Sequence, residues 1–246
     1  MQAALATEGL AWLALAVLVA GIVRGFSGFG SALVYLPIAG IFLPPTWVIA
    51  TTMVFSIIGP LPLVPRAWAQ APMREVARLA IAGAVAVPLG VVLLIRLEPE
   101  AFRWLVSLVA VGTLGLLASG GRYRGEVSAI MGAGTGFLSG LMGGFIGLPG
   151  PPVILLYMSG QKAVAEIRAA ILLFLFMIDV VVLATLLVRG LVTAEAAVIG
   201  LLLVPSYMLG GLIGQRLFNP ARERLFRGVA YGIILLAAVA GLPIFD

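Results

Sequence analysis

Apolar residues fall in two successive sets of runs, at 10–23, 31–43, 46–64, 76–95 and 102–118, then at 127–142, 151–158, 167–188, 196–212 and 228–245. Single charges or glycine and proline punctuation separate them. About 20 apolar residues make one membrane crossing, so this pattern predicts a polytopic, all-α membrane protein. The first two runs of each set are short for a crossing and are parted by glycines: GFSGFG at 25–30 and GLMGGFIGLPGPP at 140–152. At 1.5 Å per residue the run 31–43 reaches about 20 Å, against a hydrocarbon core of about 30 Å. Half-helices that meet inside the membrane are expected there.

The two sets look alike. At an offset of 115, Gly21, Gly25, Gly28 and Pro37 fall on Gly136, Gly140, Gly143 and Pro152; at 121, Gly90, Pro99 and Arg103 fall on Gly211, Pro220 and Arg224. A duplicated unit is the economical explanation, with residues 1–120 as one transmembrane repeat and 121–246 as the other. Each repeat then holds a broken helix/half-helix pair and three transmembrane helices.

Charge fixes an expectation for topology. If each pair contributes an even number of passages, a repeat crosses an odd number of times. Arg66, Arg74, Arg78, Arg122, Arg124, Lys162, Arg168, Arg216, Arg222, Arg224 and Arg227 then share one face, with Arg96, Arg103 and Arg189 on the other, a split of 11 to 3. A single crossing per pair would divide them 8 to 6. The positive-inside rule favours the first arrangement, which inverts the second repeat and places both termini on the periplasmic side. Whether the pairs are re-entrant or short full crossings stays open. Inverted repeats with broken helices are a common plan of secondary transporters.

Composition narrows the chemistry. With 62% apolar and 10% charged residues, a soluble domain is excluded. The absence of His and Cys removes the usual metal ligands, thiolates and imidazole acid–base groups, so neither an enzyme nor a bound cofactor is expected. The net charge of +5 is spread as single arginines between apolar runs, which reads as loop charge beside a lipid bilayer and not as a nucleic-acid surface. Residues 1–21 lack a basic stretch ahead of their apolar run, so they read as a first membrane segment and not as a signal peptide.

A backbone break in the bilayer leaves amides and carbonyls that lipid cannot satisfy. It persists only against protein or a polar cavity. Gly25, Gly28, Gly30, Gly140, Gly143, Gly144, Gly147 and Gly150 permit such breaks, and also suit small-residue helix packing, which Gly21/Gly25 and Gly136/Gly140 match. Their repetition before proline favours a site. A half-helix starting at mid-membrane presents unpaired N–H groups and attracts anions. After the first break Ser31, Ala32 and Leu33 can donate, with hydroxyls from Ser27 and Ser31. In the second, Pro149, Pro151 and Pro152 leave only Leu148, Gly150 and Val153. The first break should supply anion contacts and the second shape, unless Pro37 and Pro152 open the half-helices instead.

Arg24, costing about 2.5–3.5 kcal/mol at such depth, suits a tetrahedral oxyanion, a snorkelling role or an acid partner such as Asp179. Asp179 sits near the centre of 167–188. A carboxyl buried there without a partner favours its neutral form, a candidate for proton coupling; Thr185 or Arg24 are alternative partners. Arg168 opens the same run and can gate the cytoplasmic mouth with Gln161 and Lys162, or anchor topology. Tyr35, Trp47, Trp68, Trp104 and Tyr157 read as belt or packing residues.

The stretches GIVRGFSGFGSALVYLPIAG and GFLSGLMGGFIGLPGPPVILLYM resemble the two signature regions of the sulfite exporter TauE/SafE family, also called the toluene-sulfonate uptake permease family. The likeness spans the duplicated unit and the PLG and MLGG turns around Gly90 and Gly211. It implies transport of sulfite, thiosulfate, sulfoacetate or similar C2 sulfonates in the bacterial inner membrane, as export coupled to the proton gradient. The expected mechanism is alternating access at a site enclosed by the two units, with a small anion as substrate and a homodimer by analogy with carriers of this size. An anion channel is the alternative.

Overall fold

The computed structural model describes residues 9–119, 128–158, 163–217 and 223–244. Arg122, Arg124, Lys162, Pro220 and Arg222, which enter the charge count or the repeat match, and Gln161, named at the cytoplasmic mouth, lie outside them. Among the described residues all regular structure is helical. Long apolar stretches demand this, because in hydrocarbon each N–H and C=O must find its partner within its own segment. The helices are α1 (Leu10–Ser27), α2 (Ser31–Phe42), α3 (Pro45–Ile58), α4 (Val64–Gln70) after a 3₁₀ turn at Leu61–Leu63, α5 (Met73–Leu94) and α6 (Pro99–Ala118). From the second half come α7 (Ala129–Ile146), α8 (Gly150–Met158), α9 (Val164–Val188), α10 (Ala194–Leu217) and α11 (Glu223–Ala240).

Six of these helices are long and apolar enough to cross a membrane, and the bent pair α3–α4 makes a seventh. The chain is a multi-span membrane protein. Two expectations change. The run 46–64 is not one straight span: it bends by 41° after Ile58, where Pro60, Pro62 and Pro65 withdraw backbone donors. Nor are the first members of each pair half-helices. Both α1 and α7 have 18 residues, about 27 Å, because the helix runs on through Gly25 and through Gly143 and Gly144 and stops only at a left-handed glycine. Only α2 (12 residues) and α8 (9 residues) are short.

The helix boundaries recur at a spacing different from that of the glycine match. Leu10, Gly28 and Ser31, which begin α1, end it and begin α2, stand 119 residues before Ala129, Gly147 and Gly150, which do the same for α7 and α8. Gly21 and Gly25 therefore correspond to Gly140 and Gly144, one helical turn later than an offset of 115 implies. A four-residue slip leaves a small-xxx-small pattern nearly unchanged, so sequence spacing alone could not choose.

The chain forms two compact units, and each draws on both halves of the sequence. In the first, made of α1, α2, most of α3 and α6, α10 and α11, the dominant contact is α1 on α10, with α2 held between α1 and α11. In the second, containing α4, α5, α7, α8 and α9, α7 packs on α5, and α9 closes over α4, α5 and α8. Both dominant contacts are glycine seams. A Cβ on Gly25 would lie 2.5 Å from the Gly211 carbonyl oxygen, and Cβ atoms on Gly140 and Gly144 would meet the carbonyl oxygens of Gly83 and Val87. Backbones this close gain van der Waals contact that lipid does not offer. Arg103 is no loop residue: it is 8% exposed, and its Nε donates to the Gly241 carbonyl at 3.0 Å, tying α6 to the end of α11.

Candidate functional site

The first unit holds the more open break. Arg24 lies in the last turn of α1, Gly28 terminates the helix at φ 83°, and Gly30 caps α2 at φ 93°. Side chains rarely adopt that backbone, which is why glycine occupies both positions. The Gly28 N–H returns to the Arg24 carbonyl at 2.8 Å. Ser27 locks the turn: its hydroxyl lies 2.6 Å from both the Val23 and Phe29 carbonyls, and the Phe29 N–H points back to it at 3.3 Å. Its hydroxyl therefore serves the break itself.

The half-helix α2 begins at Ser31, as its donor pattern suggested, and Pro37 lies inside it. The N–H groups of Ser31, Ala32 and Leu33 have no carbonyl one turn back, Gly30 has no side chain to cap them, and no acidic residue stands in the first turn. Val34 is the first to bond inward, to the Gly30 carbonyl at 3.3 Å. Gly28 is exposed, and no atom stands within 4 Å of where its Cβ would be. Arg24 is half-buried, one turn before this opening. Arg24, Gly25, Ser27, Gly28, Gly30, Ser31 and Ala32 thus form one continuous feature. Within it Gly25 belongs to the seam with α10, while the rest surround the break.

Behind α2 stands a hydroxyl-aromatic cluster that the sequence reading did not assemble. Tyr35, wholly buried, shares a hydrogen bond of 2.9 Å with Thr51. Thr51 in turn lies 2.9 Å from the Trp47 carbonyl. Phe55 sits between the rings of Tyr35 and Tyr207, at centroid distances of 5.0 and 4.8 Å. The Tyr207 hydroxyl donates to Ser31 Oγ at 3.5 Å. Tyr35 is accordingly no belt residue. The residues come from α2, α3 and α10, and only folding brings them together.

The second unit's break is closed. Gly147 ends α7 at φ 73°, and its N–H and that of Leu148 bond to the Gly143 and Met142 carbonyls at 3.1 and 3.3 Å, so Leu148 has no donor to offer. Gly147, Leu148 and Pro149 are buried. Pro151 and Pro152 fill the first turn of α8, which leaves Gly150 as its donor there. Gly143 lies under Pro149 and Ile178, with 3.1 and 3.3 Å left for a Cβ, while Gly140 and Gly144 belong to the α5 seam. These capping bonds leave the second break with fewer open amides than the first.

Asp179, 6% exposed, lies on α9 beside Ile178, which fills the space at Gly83 and Gly143. Thr185 does not offer it a proton, since its hydroxyl donates to the Val181 carbonyl at 2.7 Å. Arg168 is exposed near the start of the same helix. Among the described residues no group of three acidic side chains could hold a metal ion.

Comparison with known proteins agrees with this architecture. The family model described as "Sulfite exporter TauE/SafE" matches residues 13–241. A relative from Cupriavidus necator, named "Probable sulfite/organosulfonate exporter TauE", is 26% identical over 215 residues, covering 85% of this chain and 84% of its own. No solved structure matches. With a match over nearly the whole chain and six or seven helical segments long and apolar enough to cross a membrane, the protein belongs to the sulfite exporter TauE/SafE family and is a membrane transporter.

Proposed function

We propose that the protein exports a small sulfur oxyanion or organosulfonate, such as sulfite or a C2 sulfonate, across the bacterial inner membrane by alternating access. The observation that carries this is the break at Gly28–Gly30: three first-turn amides with no capping side chain, a buried serine hydroxyl, and Arg24 one turn away. Donors without a competing carboxylate favour an anion. A sulfonate's three oxygens can take the amides of Ser31, Ala32 and Leu33 together with the planar fork of Arg24. The name of the Cupriavidus relative supports sulfur chemistry and outward direction. Gly147 and Gly150 at the second break, with Gly140, Gly143 and Gly144 behind it, act through shape. Asp179 carries the proton that couples transport to the gradient, and Arg168 gates the cytoplasmic end. Both termini face the periplasm.

A thermal-shift series on purified protein with sulfite, thiosulfate, sulfoacetate, isethionate and plain carboxylates tests the reading. A ligand of the folded state at 100 times its Kd stabilises by about 2.7 kcal/mol. Sulfur anions should raise the midpoint and carboxylates should not. Equal response to both, or to neither, would remove the substrate assignment. Counterflow in proteoliposomes would identify a carrier, and single-channel currents would exclude one.

A further inference from the structure

Ser31 differs from those hydroxyl residues of its unit that donate back into their own helices. Ser27, Thr51, Thr52 and Thr113 each donate to a carbonyl of their own helix, at 2.6 to 3.0 Å. Ser31 is 3% exposed, its oxygen accepts from Tyr207, and among the described residues its own hydrogen meets no acceptor. A buried donor left open loses its hydration without replacement, so a ligand that accepts from it is favoured. The opening lies at the first turn of α2, where three amides point the same way. Tyr207 decides which way Ser31 can act. Because the phenol of this 4% exposed residue holds Oγ as an acceptor, the serine hydrogen is the part left for a ligand.

The duplicated register sharpens the case. At 119 residues' separation Ser31, Tyr35 and Thr51 fall on Gly150, Ile154 and Ala170, and at 121 Tyr207 falls on Ala86. The matching positions around the second break carry none of these hydroxyls. They are therefore not needed to build a broken helix.

We infer that Tyr207 is a positioning residue for anion recognition: by donating to Ser31 Oγ it turns the Ser31 hydroxyl into a fixed donor towards the substrate oxyanion at the start of α2. This rests on the anion reading of that break. The Tyr207 ring remains packed on Phe55 in Tyr207→Phe, so the variant removes the hydroxyl alone.

Isethionate and sulfite binding is measured by calorimetry on the purified full-length chain, for the wild type, Tyr207→Phe, Ser31→Ala, the double variant and Arg24→Ala. Hydrogen bonds to a charged group correspond to about 10- to 100-fold in affinity, so Ser31→Ala should weaken binding within that range. Tyr207→Phe should weaken it by about five- to tenfold, with an unchanged thermal midpoint without ligand. The double variant should bind no more weakly than Ser31→Ala, because Tyr207 acts only through Ser31. Wild-type affinity in Tyr207→Phe, or additive losses in the double variant, would overturn the inference. If Ser31→Ala and Arg24→Ala lose affinity while Tyr207→Phe does not, the anion site stands without this role for Tyr207. If the wild type binds neither probe, both readings fall.

Discussion

Arg24 and Asp179 carry the sharpest tests at the residue scale. Arg24→Ala removes a guanidinium one turn from three uncapped amides without touching the α1–α10 seam. It should insert and fold normally and lose about 10- to 100-fold in anion affinity, read by calorimetry. Unchanged affinity would mean that the arginine snorkels. Asp179→Asn keeps size and burial and deletes the carboxyl group proposed to carry the proton. Substrate binding should persist while flux driven by a pH gradient in proteoliposomes falls to the level of an ungraded control. Retained pH-driven flux would exclude Asp179 as the coupling group. The residues around the first break could be named from sequence because they are contiguous: Arg24, Gly28, Gly30 and Ser31 lie within eight positions. Tyr207 could not. It lies 176 residues from Ser31, and a tyrosine in an apolar run carries no mark of which helix it will face.

At the scale of elements, glycines of identical type do two different jobs. Gly25 and Gly144 bring helices together: a side chain there would run into the backbones of α10 and α5. Gly28 supplies a left-handed turn with open space beside it. Gly25→Leu should therefore lower the thermal midpoint and folded yield in detergent, in line with the 1–3 kcal/mol or more that overpacking costs. Gly28→Ala meets no atom and carries only the strain of its backbone, about 1–2 kcal/mol, so the folded yield should stay near that of the wild type. A wild-type midpoint in Gly25→Leu would mean that the seam tolerates a side chain. The positions of the breaks were legible, since only glycine followed by polar or proline residues interrupts the runs. The lengths of α1 and α7 were not. A glycine inside a helix looks the same in sequence whether the chain passes through it, as at Gly143, or stops, as at Gly147.

For the whole molecule, the testable statement is orientation. If the expected 11-to-3 division of cations, which counted Arg103 as a loop residue, holds for the remaining residues, reporter fusions at both ends should be active as periplasmic and silent as cytoplasmic fusions. A cytoplasmic signal at either end would overturn the odd count of crossings. The two compact units interleave the sequence halves: α1, which opens the first half, pairs with α10 of the second, and α7, which opens the second, pairs with α5 of the first. The same contact is thus made twice with the halves exchanged.

The sequence by itself determined that the protein lives in a membrane, that its apolar runs are helical, and that two glycine breaks interrupt them. These follow from solvation and local backbone geometry, which neighbouring residues decide. The tertiary structure decided which break is open and which is closed, which glycines are seams, and that a tyrosine from α10 meets the first serine of α2. Such outcomes depend on which helix faces which, and contacts between segments more than a hundred residues apart leave no periodic trace along the chain.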